Sequence, residues 1–117
     1  MIITKINRIK ENLLNNKNGI TLNFNGNIEN KKDGFYISIS NIKAKRINYL
    51  IKKTLNIRNT AFKEINNLFL GGWNNGTHYF LNLTLYVKNK EKAIYLGKLF
   101  KQQAIFNIKK QDCIYLK

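Results

Sequence analysis

The chain has 117 residues, 44% hydrophobic and 12% aromatic, with 21 Lys and Arg against 6 Asp and Glu, a formal net charge of +15. That length suits one domain able to bury about two-thirds of its unfolded surface, and the composition excludes an intrinsically disordered chain. No apolar run approaches the roughly 20 residues of a bilayer-spanning helix. One Cys excludes an intramolecular disulfide, and one His with one Cys cannot supply the ligands of a transition-metal site.

The N-terminus, MIITKINRIKENLL, mixes apolar and charged residues and so lacks the uninterrupted apolar core of a signal peptide. The expected location is the cytoplasm. Abundant Lys, Asn and Ile point to an AT-rich coding source, which accounts for many lysines. It does not account for the scarcity of acids, whose codons suit such a source nearly as well. A long-range field that attracts polyanions therefore stands beside coding bias and solubility as the reading of the charge. Nearly all the cations are Lys, with only Arg8, Arg46 and Arg58. Lys meets phosphate as a point charge and lacks the planar fork that reads base edges, so nucleic-acid binding is expected to be backbone-directed and salt-sensitive.

In chain order, residues 3–16 predict a first helix with Ile2, Ile6, Ile9 and Leu13 on one stripe, Thr4 as its N-cap, and Asn15 to Gly19 as its end. A strand at 20–24 and another at 35–40 predict a hairpin with one buried face, joined through the turn signal Asn25-Gly26-Asn27 and a polar loop. A second helix is expected over 42–57, with Ile47, Leu50, Ile51, Thr54 and Leu55 inward. Lys45, Arg46, Lys52 and Lys53 fall on its opposite side with Tyr49 among them. That face reads either as a solvated surface or as a phosphate-tracking surface with a ring for stacking. After a connecting region with one helical turn at 61–65, a strand is expected from Leu68 through Trp73. A two-residue hairpin turn at Asn75-Gly76 then leads to a long return strand, Thr77 to Val87. The return strand aligns Tyr79, Leu81, Leu83, Leu85 and Val87 on one face. His78, Phe80, Asn82, Thr84 and Tyr86 form the other, which is either partly covered or a contact surface. Trp73 is either hairpin packing or an exposed anchor. Asn89 is the expected cap of a third helix, 90–103, with Ala93, Leu96, Gly97 and Phe100 inward and Tyr95, Lys98 and Lys101 outward. Gly97 marks a close helix–sheet approach. Strands at 103–107 and 113–116 close the chain.

The pattern predicts an α+β fold, a single domain over 1–117 with five to six strands in antiparallel hairpins packed against three helices. Gly71-Gly72-Trp73-Asn74-Asn75-Gly76-Thr77 lacks the Lys of a phosphate-binding loop and leads into a strand, not a helix. Glu11, Glu29, Asp33, Glu64, Glu91 and Asp112 are scattered and suggest no tuned acid–base pair. A His78–Cys113 nucleophile requires the two to meet in space. The residues favour a binding module without a cofactor over an enzyme.

Gly71-Gly72-Trp73, Gly76, Leu81-Asn82-Leu83-Thr84, Asn89, Ala93, Gly97 and Gln103-Ala104-Ile105-Phe106-Asn107 form a spaced pattern over about a third of the chain. It resembles that of small, mostly uncharacterised proteins of phages, plasmids and integrative elements, in which Asp stands at the positions of Asn82, Asn89 and Asn107 and Ser at that of Thr84. A catalytic or metal-binding role for those acids would not carry over to Asn, whereas a capping role would. The resemblance implies a mobile-element context, and within it a non-enzymatic inhibitor of host defence of the anti-CRISPR kind. Its positive charge speaks against DNA mimicry. The partner implied is the RNA or acidic surface of a CRISPR-type effector nucleoprotein in a bacterial host cell. The alternative is an accessory protein that binds an RNA or DNA backbone. The expected contact residues are Lys45, Arg46, Tyr49, Lys52, Lys53, Lys98, Lys101 and Trp73, on a monomer or homodimer with no membrane association.

Overall fold

Every second side chain of a strand points to the same side of its sheet, and here the aliphatic sets gather on one side only. The structure, a computed structural model, describes residues 2–116, with side chains from Thr4 onward. The elements are α1 (Ile2–Asn15), β1 (Ile20–Leu22), β2 (Phe35–Ala44), α2 (Ile47–Ala61), β3 (Leu68–Asn74), β4 (Tyr79–Val87), α3 (Lys90–Leu99), β5 (Ala104–Asn107) and β6 (Asp112–Tyr115). The strands form one antiparallel sheet in the order β1-β3-β4-β2-β5-β6. This is the expected α+β fold. No described helix is long and apolar enough to cross a membrane.

All three helices cover the aliphatic side. Ile9 and Leu13 of α1 and Leu50 and Ile51 of α2 bury against Leu22, Leu70, Leu81 and Leu83. Ala93 of α3 buries against Phe35, Ile37, Leu85, Val87 and Ile105. Gly97 lets α3 approach, since a β-carbon there would lie 2.6 Å from Leu116 Cδ1 and 2.8 Å from Ile105 Cγ2. The expected inward stripe of α2 holds, with Leu50, Ile51 and Thr54 fully buried. Ile2 of the expected α1 stripe lies outside the described side chains.

Several local expectations are corrected. Strand β2 continues to Ala44, so 42–44 are strand and α2 begins only at Ile47, with Lys45 ahead of it and Arg46 at its N-cap. A β-bulge between Ser38 and Ser40 is the reason. It inserts one residue, so the inward set changes from Phe35 and Ile37 to Ser40, Ile42 and Ala44, and the broken alternation imitates a helix start. At its other end α2 absorbs 58–61, and the expected helical turn is a single hydrogen-bonded turn at 62–65, where Ile65 N–H donates to Phe62 O at 3.1 Å. Thr4 lies inside α1 and does not cap it. The β3–β4 connection spans 75–78, with Asn75 N–H donating to His78 O at 3.2 Å, and only Gly76 takes positive φ. Helix α3 stops at Leu99 because Lys101 turns left-handed (φ 56°) and Gln102 N–H closes back on Gly97 O at 2.8 Å.

The expected β1–β2 hairpin does not form. Strand β1 pairs with β3, and β2 with β4 and β5. The turn at 23–27 is instead held by Asn23 Oδ1, which accepts from Asn25 and Asn27 N–H at 2.9 and 3.0 Å, and it docks on α1. Asn12 Nδ2 donates to Gly26 O at 2.9 Å and Arg8 to Asn25 O at 3.2 Å. Gly26 is required twice over, by φ +86° and by an α1 backbone that a β-carbon would meet at 3.2 Å from Ile9 N and 2.5 Å from Arg8 Cβ. Gly26→Ala should cost about 2–4 kcal/mol, from left-handed strain plus overpacking against a backbone that cannot yield. Urea denaturation reads the loss as a lower midpoint at unchanged m.

Candidate nucleic-acid interface

Few of the described cations have an acidic partner, because acids are few. Among the described residues one ion pair occurs, Lys31 Nζ to Glu29 Oε1 at 3.7 Å. Lys45, Arg46, Tyr49, Lys52 and Lys53 are all exposed at the start and on the outer side of α2. Tyr49 is 55% exposed, and Lys53 Nζ lies 5.5 Å from its ring centroid. The ring is thus already cation-associated and offers its free side to solvent. Arg46 carries positive charge into the N-cap of α2 and makes no side-chain cap bond, and the first turn has no acid. Both features oppose the helix dipole and leave first-turn N–H groups without a side-chain acceptor. By contrast, Asn89 caps α3 as expected, its Oδ1 accepting from Lys92 N–H at 2.9 Å.

The other expected contact residues divide. Lys98 lies in the last turn of α3 and Lys101 just after it, over the other core cluster, so they form a patch separate from that on α2. Trp73 is on the opposite side of the sheet, 42% exposed, stacked on Phe80 at 4.0 Å between centroids and 3° between planes. No single surface unites the eight.

That opposite side holds a second surface, assembled from residues distant in sequence. No helix covers it, and a groove of about 700 Å³ runs along it, with every strand contributing to its lining. Its floor carries polar groups among apolar ones: Asn82 and Thr84 flank Gly71 from β4, Ser38 lies one strand further on, and Asn82 Nδ2 donates to Ser38 Oγ at 3.2 Å. At Gly71 a β-carbon would fall 2.6 Å from Asn82 Oδ1 and 2.9 Å from Thr84 Oγ1, so any larger residue requires those side chains to shift. Tyr36 and Phe106, paired across β2 and β5, add rings. Burial pushes the Tyr36 phenol above its ordinary pKa, against a smaller lowering by the Thr21 side chain, so it stays protonated at neutral pH. Residues 28–32 form a wall, with Lys31 Nζ 5.3 Å from the Phe69 centroid and 4.9 Å from that of Tyr86. The sequence signal was the half-aromatic, half-polar face of β4. What it lacked was the long β1–β2 segment folding over that face.

The residues of the spaced pattern over 71–107 take distinct roles. Asn89 caps a helix, and Asn107 Oδ1 accepts from Lys110 N–H at 3.3 Å in a turn. Asn82 does neither and belongs to the groove floor, with Gly71, Trp73 and Thr84. His78 and Cys113 are held apart. Cys113 is level with Tyr86 through Phe106 and Tyr36, eight residues along β4 from His78, about 25 Å at strand rise. Among the described residues no three His, Cys, Asp or Glu side chains gather. No protein-family model, curated protein or solved structure matches the chain.

Arg46→Asp supplies both the missing cap acceptor and a charge of the favourable sign. It should raise stability by about 0.5–1.5 kcal/mol, seen as a higher Tm.

Proposed function

We propose that this chain is a non-enzymatic binding module for the phosphate backbone of RNA or DNA, engaged through Lys45, Arg46, Tyr49, Lys52 and Lys53. The observation that carries the reading is a net charge of +15 with a single ion pair among the described residues. Cations left unneutralised on an outer surface release counterions when they meet phosphates, which drives binding. The uncapped, cationic start of α2 fits the same purpose: it costs stability without a ligand and is relieved by an anion. Lys98 and Lys101 extend the positive field without completing the same patch.

The resemblance of residues 71–107 to mobile-element proteins supports a narrower reading, an anti-CRISPR-like inhibitor that engages the RNA of a host effector nucleoprotein. Co-purification with an RNA-guided effector at physiological salt, with loss of target cleavage, is its expected behaviour. Binding of free RNA or DNA without effector inhibition identifies an accessory nucleic-acid-binding protein instead.

The triple change Lys45→Glu, Lys52→Glu and Lys53→Glu leaves the core untouched, since all three side chains are exposed. It should preserve the circular-dichroism spectrum and weaken oligonucleotide binding at moderate salt. The slope of log K against log salt should become shallower by about 2–3. Wild-type affinity and slope in the triple variant would rule out the α2 surface.

A further inference from the structure

We infer that the groove on the uncovered side of the sheet takes unpaired bases of a single-stranded nucleic acid, with Trp73 as the stacking platform. The inference rests on the reading of the chain as a nucleic-acid binder and adds a second surface, on the far side of the sheet from α2, and a preference for single strands.

Trp73 presents one usable ring face. Phe80 occupies the other, parallel at 4.0 Å. The register of β1 with β3 ends at Ile20, which faces Gly72, and the residue before Ile20 is Gly19. Gly19 brings no side chain to shield the indole, and it lines the groove together with Trp73. A large aromatic left 42% exposed, held rigid from behind and open in front, is the arrangement on which a flat base stacks at little entropic cost.

The rest of the groove offers a base both flat apolar contact and hydrogen-bond groups. Beside the indole the lining joins Ile20, Ile28 and Phe106 to the amide and hydroxyl groups of Asn82 and Ser38, which can meet base edges. The charge at the margins complements a phosphate chain. Lys32 lines the wall, and Lys43 stands on the same face beside Phe80. The one acid in the lining, Glu29, is paired with Lys31. A duplex keeps its bases stacked on each other and cannot offer a free base plane to Trp73.

Trp73 is the only Trp in the chain, so its fluorescence reports this site directly. Octameric oligo(U) and oligo(dT) are titrated into the wild-type protein, with a 12-base-pair duplex alongside and with anisotropy of labelled oligomers as an independent measure of binding. Saturable quenching by a single strand is expected, with little by the duplex; the two octamers reveal whether ribose or deoxyribose is preferred. Trp73→Ala should weaken single-strand binding about ten-fold, by a ratio that stays constant as salt rises, and Trp73→Phe should restore most of it. The triple Glu variant of α2 should bind more weakly yet still show the quench. Binding by anisotropy without quenching, or equal quenching by the duplex, overturns the inference and leaves the backbone-binding reading standing. Absence of both signals overturns both. A Trp73 signal that follows protein concentration, with dimers in sedimentation, overturns the inference in favour of self-association through this face.

Discussion

Strand β4 carries the constraint on which the rest of the molecule depends. Leu81, Leu83, Leu85 and Val87 all point to one side, and the two halves of that row serve two different helix groups. Leu81 and Leu83 bury against α1 and α2, Leu85 and Val87 against the α3 cluster. Since β4 pairs along its length with both β2 and β3, its parity is imposed on the central sheet. A one-residue slip would exchange these aliphatic residues for Phe80, Asn82, Thr84 and Tyr86 and bury amide and hydroxyl groups under three helices. The aliphatic row therefore determines which side is packed, and so which side is left open.

The open side is a consequence of the same alternation. Its residues are too polar to recruit a helix and too aromatic to be inert. The β1–β2 segment gives the face its depth by passing over Phe69 and Tyr86 and anchoring there: Lys31 contacts both rings, and Tyr86 Oη donates to Asp33 O at 3.0 Å. The fold thus presents two surfaces with different chemistry, a cationic helix side and, across the sheet, an aromatic concavity with polar groups in its lining.

Asparagine makes the high net charge compatible with the fold. Asn23, Asn75, Asn89 and Asn107 accept backbone N–H bonds at turns and at a helix start, and Asn74 Nδ2 donates to Leu13 O at the end of α1 at 2.9 Å. Asp performs the accepting role equally well but would lower the positive field. The core bears no charge, so self-repulsion is confined to the surface, where water and salt screen it. Arg46 departs from this economy, placing a cation where local stability asks for an acceptor.

What the sequence determines by itself is what depends on neighbours along the chain. The two faces of β4, the inward stripe of α2, the Asn89 cap and the close approach at Gly97 follow from side-chain period, capping chemistry and the missing β-carbon. The α+β class follows from those elements together, and the excess of cations from composition alone. What only the tertiary structure decides is pairing across distance. Strand β1 joins β3 because Gly26 and Asn23 fold the following turn onto α1, a docking no local pattern encodes. The bulge in β2 hid the length of that strand, because one extra residue reverses the parity that marks it. The groove needs residues distant in sequence, Gly19, Tyr36, Gly71, Asn82 and Phe106, brought to one side by sheet order. Trp73 reads as packing or anchor until that order shows Phe80 stacked on one face of the ring and the groove beside it.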